Sequence, residues 1–425
     1  MSLLKSKLSQ KIPVWQEDLK SLLSEHGDKK MSEVTLQQMY GGCRGVKSLF
    51  CDTSLVDPEK GLIIRGRPVL ELADRLPEEI YFLLLTDELP TEEELKDLQD
   101  EYKKVPGVPD NVWQCLKALP GDTHPMVMLS IGIMALERES VFRKRYDEGI
   151  KKTEYWVPVL EDSINLLARL PELAAGIYRI SSGKGDPIPP NKDLDWGADY
   201  AYMLGLDDPK GELKKLMRLY LVLHSDHEAG NVSALTTHVV GSALSDPYYA
   251  VSAGLNGLAG PLHGLANQEC LAFVLEIHKK YNGVPGDEEL VKFCWDTLNS
   301  GKVIPGYGHA VLRQTDPRFT AFNNFGHQYC EDSEVFQIVD RLFKLVPGVL
   351  KEHGKAKNPY PNVDAGSGSL LYHYGMTEFN YYTVIFGISR AMGMASQLVM
   401  SRAMFTPIFR PKSVGRDWVK QFLGI

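Results

Sequence analysis

Ser333-Glu334-Val335-Phe336-Gln337-Ile338-Val339-Asp340-Arg341-Leu342-Phe343-Lys344-Leu345-Val346 carries apolar side chains at Val335, Ile338, Val339, Leu342, Leu345 and Val346. Steps of three and four residues place these side chains on one face of an α-helix. The spacing recurs at Leu160, Ile164, Leu167 and Leu170, where Pro171 is expected to stop the helix. Thr91 followed by Glu94 forms a capping box ahead of another helical stretch. Strand signals are sparse, and residues 48–56 and 61–65 are the best candidates. The chain therefore reads as mainly α.

Working outward, residues 181–195 and 354–361 are rich in Gly, Pro, Lys and Asp and read as exposed connections, because helical patterns resume on both sides. No repeat of solenoid length and no low-complexity tract interrupts the pattern. Residues 384–405 tempt a membrane reading, but Arg390, Gln397 and Arg402 break the apolar run, so a core helix is expected.

At 425 residues the chain can bury a large core and suits roughly two to three domains. A formal charge of -8 argues against a general nucleic-acid binder, which needs a concentrated basic face. Cys43, Cys51, Cys115, Cys270, Cys294 and Cys330 form no Cys-x-x-Cys pair, as expected of free thiols in a reducing compartment. Residues 1–15 alternate lysine with leucine and lack the sustained apolar run of a secretory signal.

Polar residues set in glycine- and proline-marked turns are the candidates for chemistry. His263, in Gly260-Pro261-Leu262-His263-Gly264, opens a helical run over residues 264–279. The positive end of that helix is expected to hold the ring neutral and able to donate, although a histidine satisfying a helix start is the plainer reading. His309 ends Pro305-Gly306-Tyr307-Gly308-His309, a tight turn with exposed amides. Those amides and Arg313 suit a phosphate, and Arg318, after Asp316-Pro317, suits a carboxylate. The plainer reading of Arg318 is a surface ion pair with an aspartate. Asp364, in Pro361-Asn362-Val363-Asp364, is either an N-cap worth about 1 kcal/mol or a base at an apolar pocket edge.

Arg390 lies among Phe386, Ile388, Ala391, Met392 and Met394, where a guanidinium needs a protein carboxylate or an anionic ligand. His224-Ser225-Asp226-His227-Glu228 lacks the His-Glu-x-x-His pattern of a metal site. It reads instead as a carboxylate–histidine network in which His227 contacts a ligand.

These strings, with Asn256-Gly257-Leu258-Ala259-Gly260-Pro261-Leu262-His263-Gly264-Leu265-Ala266-Asn267-Gln268-Glu269, occur in the order found in the citrate synthase family, and the chain resembles its eukaryotic-like, dimeric type. The resemblance runs from Tyr40-Gly41-Gly42-Cys43-Arg44-Gly45 to Arg410-Pro411-Lys412-Ser413. It implies a two-domain helical homodimer, with a large domain over residues 1–263 and 376–425 and a small domain over 264–375 that closes on the substrates. It implies condensation of acetyl-CoA with oxaloacetate to citrate and CoA without a further cofactor or metal. Asp364 would take the methyl proton, His263 would donate to the enolate oxygen, and His309 would protonate the keto oxygen of oxaloacetate.

By the same resemblance His227, Arg318 and Arg390 bind the dicarboxylate, joined by Arg410 reaching across from the second subunit. Arg44, Lys152 and Arg313 would lie near CoA phosphates, and the Val303, Gly306 and Tyr307 backbone around the adenine. Gly366 and Lys152 depart from close animal relatives, which carry histidine and arginine there; a lysine keeps the charge but loses the bidentate fork. The alternatives are a 2-methylcitrate synthase using propionyl-CoA, and a structural protein that kept the fold but lost activity. No arginine precedes Arg44, and Glu17 and Asp18 come early, unlike a mitochondrial presequence. A bacterial cytoplasm is therefore the expected compartment, with a processed enzyme of the mitochondrial matrix as the alternative.

Overall fold

The computed structural model of this chain describes residues 2–309 and 311–425. With 62% of residues helical and 3% in strands, helix faces and not a sheet must build the core. The helix Tyr382–Ala403 lies at the centre, packed on Trp156–Ser181, Val232–Ser242, Pro247–Leu258 and Pro125–Leu136. A helix apolar on every side belongs in the interior. The segment Phe379–Ala403 is long and apolar enough to cross a membrane, yet 83% of its most apolar window is buried against the rest of the protein. The core-helix expectation for this region holds.

Local sequence explains where the helices begin. Thr91 Oγ1 accepts the Glu94 amide at 3.2 Å while Glu94 Oε2 accepts the Thr91 amide at 2.8 Å, opening Glu92–Lys104. Ser333 caps Glu334–His353, the helix expected from its apolar face. Pro77, Pro125, Pro247 and Pro317 stand in first turns, where a missing amide N–H costs no helical bond.

Two expectations need correction. Pro171 does not stop its helix, which runs unbroken over Trp156–Ser181. The proline deprives the Leu167 carbonyl of its intrahelical donor, and the indole Nε1 of Trp196 takes that donor's place at 2.7 Å. The strands are also shorter than expected: β1 is Ser54–Asp57, β2 is Gly61–Ile64 and β3 is Arg67–Pro68, antiparallel in that order, with Val56 opposite Leu62. Residues 48–53 stay outside the sheet. Residues 181–195 and 354–361 do join helices, but Asn358, Pro359 and Pro361 are buried and so depart from the exposed connection expected there.

The helices Ala266–Tyr281, Asp287–Asn299, Glu334–His353 and Asp364–His373 pack on one another, and Pro317–Tyr329 joins them through Asp364–His373 while also touching Glu212–Leu223. The candidate residues lie on the elements bordering this group.

Candidate active site

The turn holding His309 is stitched to the segment ahead of Asp364. The Gly308 amide donates to Tyr360 O at 2.9 Å, the Asn362 amide to Gly306 O at 2.8 Å, and Tyr307 and Pro361 form an antiparallel bridge. Asn362 Nδ2 adds a bond to Gly308 O at 3.0 Å. Gly306, at φ +79°, is required twice over: a Cβ there would stand 2.7 Å from Cys270 Sγ and 2.9 Å from Ala365 Cα. This pairing ties the turn of His309 to the segment leading into Asp364, and the charge of Arg318 acts on both.

Asp364 is the first residue of its helix and not the cap. Its amide donates to Asn362 Oδ1 at 3.0 Å, so the helix start is satisfied by the asparagine. Among the described residues no hydrogen bond engages the Asp364 carboxylate, which is left available as a base. Burial raises it to about 6, against the opposing charges of Arg318 and Arg390.

His309 Nδ1 accepts the amide N–H groups of Val311 at 3.1 Å and Leu312 at 3.0 Å. A ring nitrogen that accepts two amides carries no proton, so the proton of the neutral ring is on Nε2, and His309 is an Nε2–H donor. Burial lowers its pKa, and the charge of Arg318 lowers it further.

His263 is neutral, but not through the helix expected to hold it so. It precedes Ala266–Tyr281, but the helix end facing its ring belongs to Val232–Ser242, capped by Asn231. The Ser233 amide, in the first turn of that helix, lies 3.3 Å from Nε2, with Ser233 Oγ at 3.1 Å. Ser233 Oγ gives its own proton to Asn231 Oδ1. An amide can only donate, so Nε2 accepts and Nδ1 carries the proton. Burial brings the imidazole down to about 4, with Arg390 adding to the shift.

Three further candidates join this cluster. The rings of His227 and His309 lie 6.0 Å apart, and burial with Arg318 and Arg390 keeps His227 well below the usual histidine range. Arg318 does pair with an aspartate, but in the interior: Asp316 takes Nε at 3.0 Å and Nη2 at 2.7 Å, and Arg318 is 4% exposed. The surface-pair reading is thus wrong in place, and half of the guanidinium fork is already engaged. Arg390 is 2% exposed, donates Nε to His224 O at 3.2 Å and rests over the Phe386 ring at 4.8 Å. Its Nη1 is buried without a partner among the described residues, and burial lowers it to about 10. No carboxylate pairs with it at contact distance among the described residues, while Asp226 and Asp364 favour its charge from farther off.

The carboxylate–histidine network expected at residues 224–228 is corrected. Asp226 is held by Thr53, Ser54 and Gln397, and His224 Nδ1 bonds Tyr220 O at 3.1 Å. Among the described residues no group of three or more His, Cys, Asp or Glu side chains is placed to hold a metal ion.

Among the described residues none of the other candidates hydrogen-bonds an acid–base group, although Gly306 and Tyr307 lie in the His309 turn itself. Arg44 and Val303 are exposed, and Tyr307 is partly buried. Arg313 is exposed with Nη1 on the carbonyls of Val311 and Leu312 at 2.8 Å, near enough for its charge to depress His309. Lys152 is exposed with its ammonium over the Phe405 ring at 5.5 Å. Arg410 is exposed, next to Phe409, whose amide bonds Ser242 at the end of Val232–Ser242 opposite to Ser233. Arg410 thus lies at the far end of the helix whose first turn faces His263.

Sequence reasoning missed Asp316 as the partner of Arg318 and Ser233 as the partner of His263. The Asp316-Pro317 pair, an N-cap followed by a first-turn proline, was a usable signal for the former. Nothing local marks the latter, since Ser233 lies 30 residues from His263 in the chain.

A free carboxylate, two neutral imidazoles and two buried guanidiniums define a class of site, one that moves protons on an anionic substrate. A family model described as citrate synthase, C-terminal domain, matches residues 42–412. The chain is 49% identical to citrate synthase 4, mitochondrial, of Arabidopsis thaliana, over 98% of this chain and 90% of that protein. It is 48% identical to citrate synthase, mitochondrial, of Neurospora crassa, over 98% and 91%. The crystal structure of citrate synthase from Pyrobaculum aerophilum superposes with a TM-score of 0.79 at 30% identity, covering 91% of this chain and 95% of that one. The chain belongs to the citrate synthase family.

Proposed function

We propose that this cleft condenses acetyl-CoA with oxaloacetate and releases citrate and CoA. Asp364 takes a proton from the acetyl methyl group while the Nδ1–H of His263 donates to the thioester oxygen on which negative charge develops. A positioned base contributes about 100- to 10,000-fold and one oxyanion donor roughly 3 to 4 kcal/mol. The new nucleophilic carbon attacks the keto carbon of oxaloacetate, whose oxygen receives the proton of His309 Nε2. Water then cleaves the citryl thioester, giving the carboxylate and the CoA thiol. Each step is a proton transfer, an addition to a ketone carbonyl or a thioester hydrolysis, so no metal or redox cofactor enters the proposal.

The observation that carries this reading is the uncommitted Asp364 carboxylate, raised to about 6, together with a histidine whose tautomer is set by two backbone amides and which shares the charge of Arg318 with it. His227, Arg318 and Arg390 are assigned to the two carboxylates of oxaloacetate, with Arg410 supplied by the second subunit of a homodimer. Arg44, Lys152 and Arg313 are assigned to CoA phosphates, and Val303, Gly306 and Tyr307 to its adenine. Residues 1–263 and 376–425 are assigned to a large domain and 264–375 to a small one, a division supported by the mutual packing of the helices between Ala266 and His373. The plant and fungal relatives named above are mitochondrial enzymes, so the mitochondrial matrix replaces the bacterial cytoplasm as the proposed compartment. The 2-methylcitrate alternative draws no support from these relatives, each named a citrate synthase.

The deciding experiment follows thiol release with oxaloacetate and either acetyl-CoA or propionyl-CoA. Faster turnover of acetyl-CoA is expected. Faster turnover of propionyl-CoA favours the methylcitrate reaction, and no release from folded protein revives the structural reading.

A further inference from the structure

Asp226 takes no part in the chemistry above, yet it is fully buried beside the cleft. Its Oδ2 accepts the hydroxyls of Thr53 and Ser54, and its Oδ1 accepts Gln397 Nε2 at 2.9 Å. Three partners able to donate, one of them an amide N–H that can only donate, favour a carboxylate here against the upward push of burial. The donors come from the entry to β1 and from the helix that carries Arg390. The turn around Asp226 is fastened at further points. Ser54 Oγ accepts the Glu228 amide at 2.8 Å, and Glu228 Oε1 accepts the Val56 amide at 2.8 Å. The Gly393 amide donates to Ser225 O at 3.0 Å, and Arg390 Nε donates to His224 O at 3.2 Å.

Gly393 stands one helical turn beyond Arg390, and a Cβ there would lie 2.4 Å from Asp226 Oδ1 and 2.6 Å from Ser225 O. Only glycine lets this turn rest on the helix so closely. His227 follows Asp226 directly in the chain. Asp226 also makes no ion-pair contact with Arg390, whose Nη1 stays unpartnered, while its charge favours the guanidinium's ionised form.

We propose that Asp226 is a positioning residue of the dicarboxylate pocket: clamped between β1 and the Arg390 helix, it holds the His227 turn in place and supplies the buried counter-charge that leaves Arg390 ionised but unoccupied. This rests on the reading that Arg390 and His227 hold oxaloacetate. Loss of the carboxylate removes both the clamp and the counter-charge; Asp226 bonds none of the proton-transferring groups and reaches Asp364 and His263 only through the charge of Arg390.

The test compares Asp226→Asn, Thr53→Val and Arg390→Gln in the full chain, with steady-state kinetics and thermal unfolding. Asp226→Asn is expected to raise KM for oxaloacetate at least about tenfold, with kcat and KM for acetyl-CoA within about twofold and Tm retained. Thr53→Val, which removes one donor without changing shape, is expected to raise the same KM about threefold and decides the matter alone if Asp226→Asn does not fold. An Arg390→Gln variant with raised KM beside Asp226→Asn and Thr53→Val variants with unchanged KM overturns the inference alone. An Arg390→Gln variant with unchanged KM overturns the pocket reading beneath it. A parallel loss of kcat, both affinities and Tm in Asp226→Asn marks the residue as structural and also overturns the inference.

Discussion

At Asp364 burial raises the carboxyl to about 6 against the pull of Arg318 and Arg390, and at His263 burial together with Arg390 lowers the imidazole to about 4. Above about pH 6 the carboxylate is therefore ionised while the imidazole is neutral, the two states the reaction needs. The acid limb of kcat/KM is expected to follow Asp364, falling about tenfold per pH unit below the carboxyl's pKa. Arg390→Gln removes a cation that favours the ionised carboxylate, so at saturating oxaloacetate the limb should move to higher pH. A limb that stays in place would separate Arg390 from the base. The residues of this cluster were legible in the sequence, because glycine and proline marked their turns, and so was the neutrality of His263. Its cause was not, since the helix end it faces belongs to a segment met 30 residues earlier. Asp364 likewise admitted two readings until the Asn362 side chain was seen to take the amide.

Among the elements, the helix Trp156–Ser181 shows why a local rule can fail. Proline withdraws one donor, and a tertiary donor, Trp196 Nε1, restores the lost bond to Leu167 O. Trp196→Phe should lower stability by about 1 to 3 kcal/mol, because a buried carbonyl loses its partner. The effect is read from denaturant unfolding, with kcat unchanged; a variant as stable as the parent would mean that the helix tolerates the orphaned carbonyl. Helices with one apolar face and a capping box were readable from spacing alone. The pairing of residues 305–309 with 360–362 was not, because two short irregular segments bonded through their backbones leave no periodic signature. The sheet was misplaced at its start, residues 48–53, and not at the end of β1, which the turn at Asp57 fixes: Asp57 Oδ1 accepts the Glu59 and Lys60 amides.

On the scale of the whole molecule, Arg410 lies at the far end of the helix whose first turn faces His263, and the proposed homodimer gives it a place in the other subunit's site. Mixing inactive Arg410→Gln and His309→Gln subunits should therefore restore about a quarter of the parental activity, since half of the dimers are mixed and each mixed dimer holds one complete site. Mixtures that stay inactive would place Arg410 in its own chain's site or outside catalysis. The central claim, that Asp364 is the base in a cleft shared with His263 and His309, is tested most directly by Asp364→Asn. Thiol release and oxaloacetate binding are measured on the same preparation. The account predicts kcat lowered about 100- to 10,000-fold with oxaloacetate affinity retained; near-parental kcat, or equal loss of binding and rate, would contradict it.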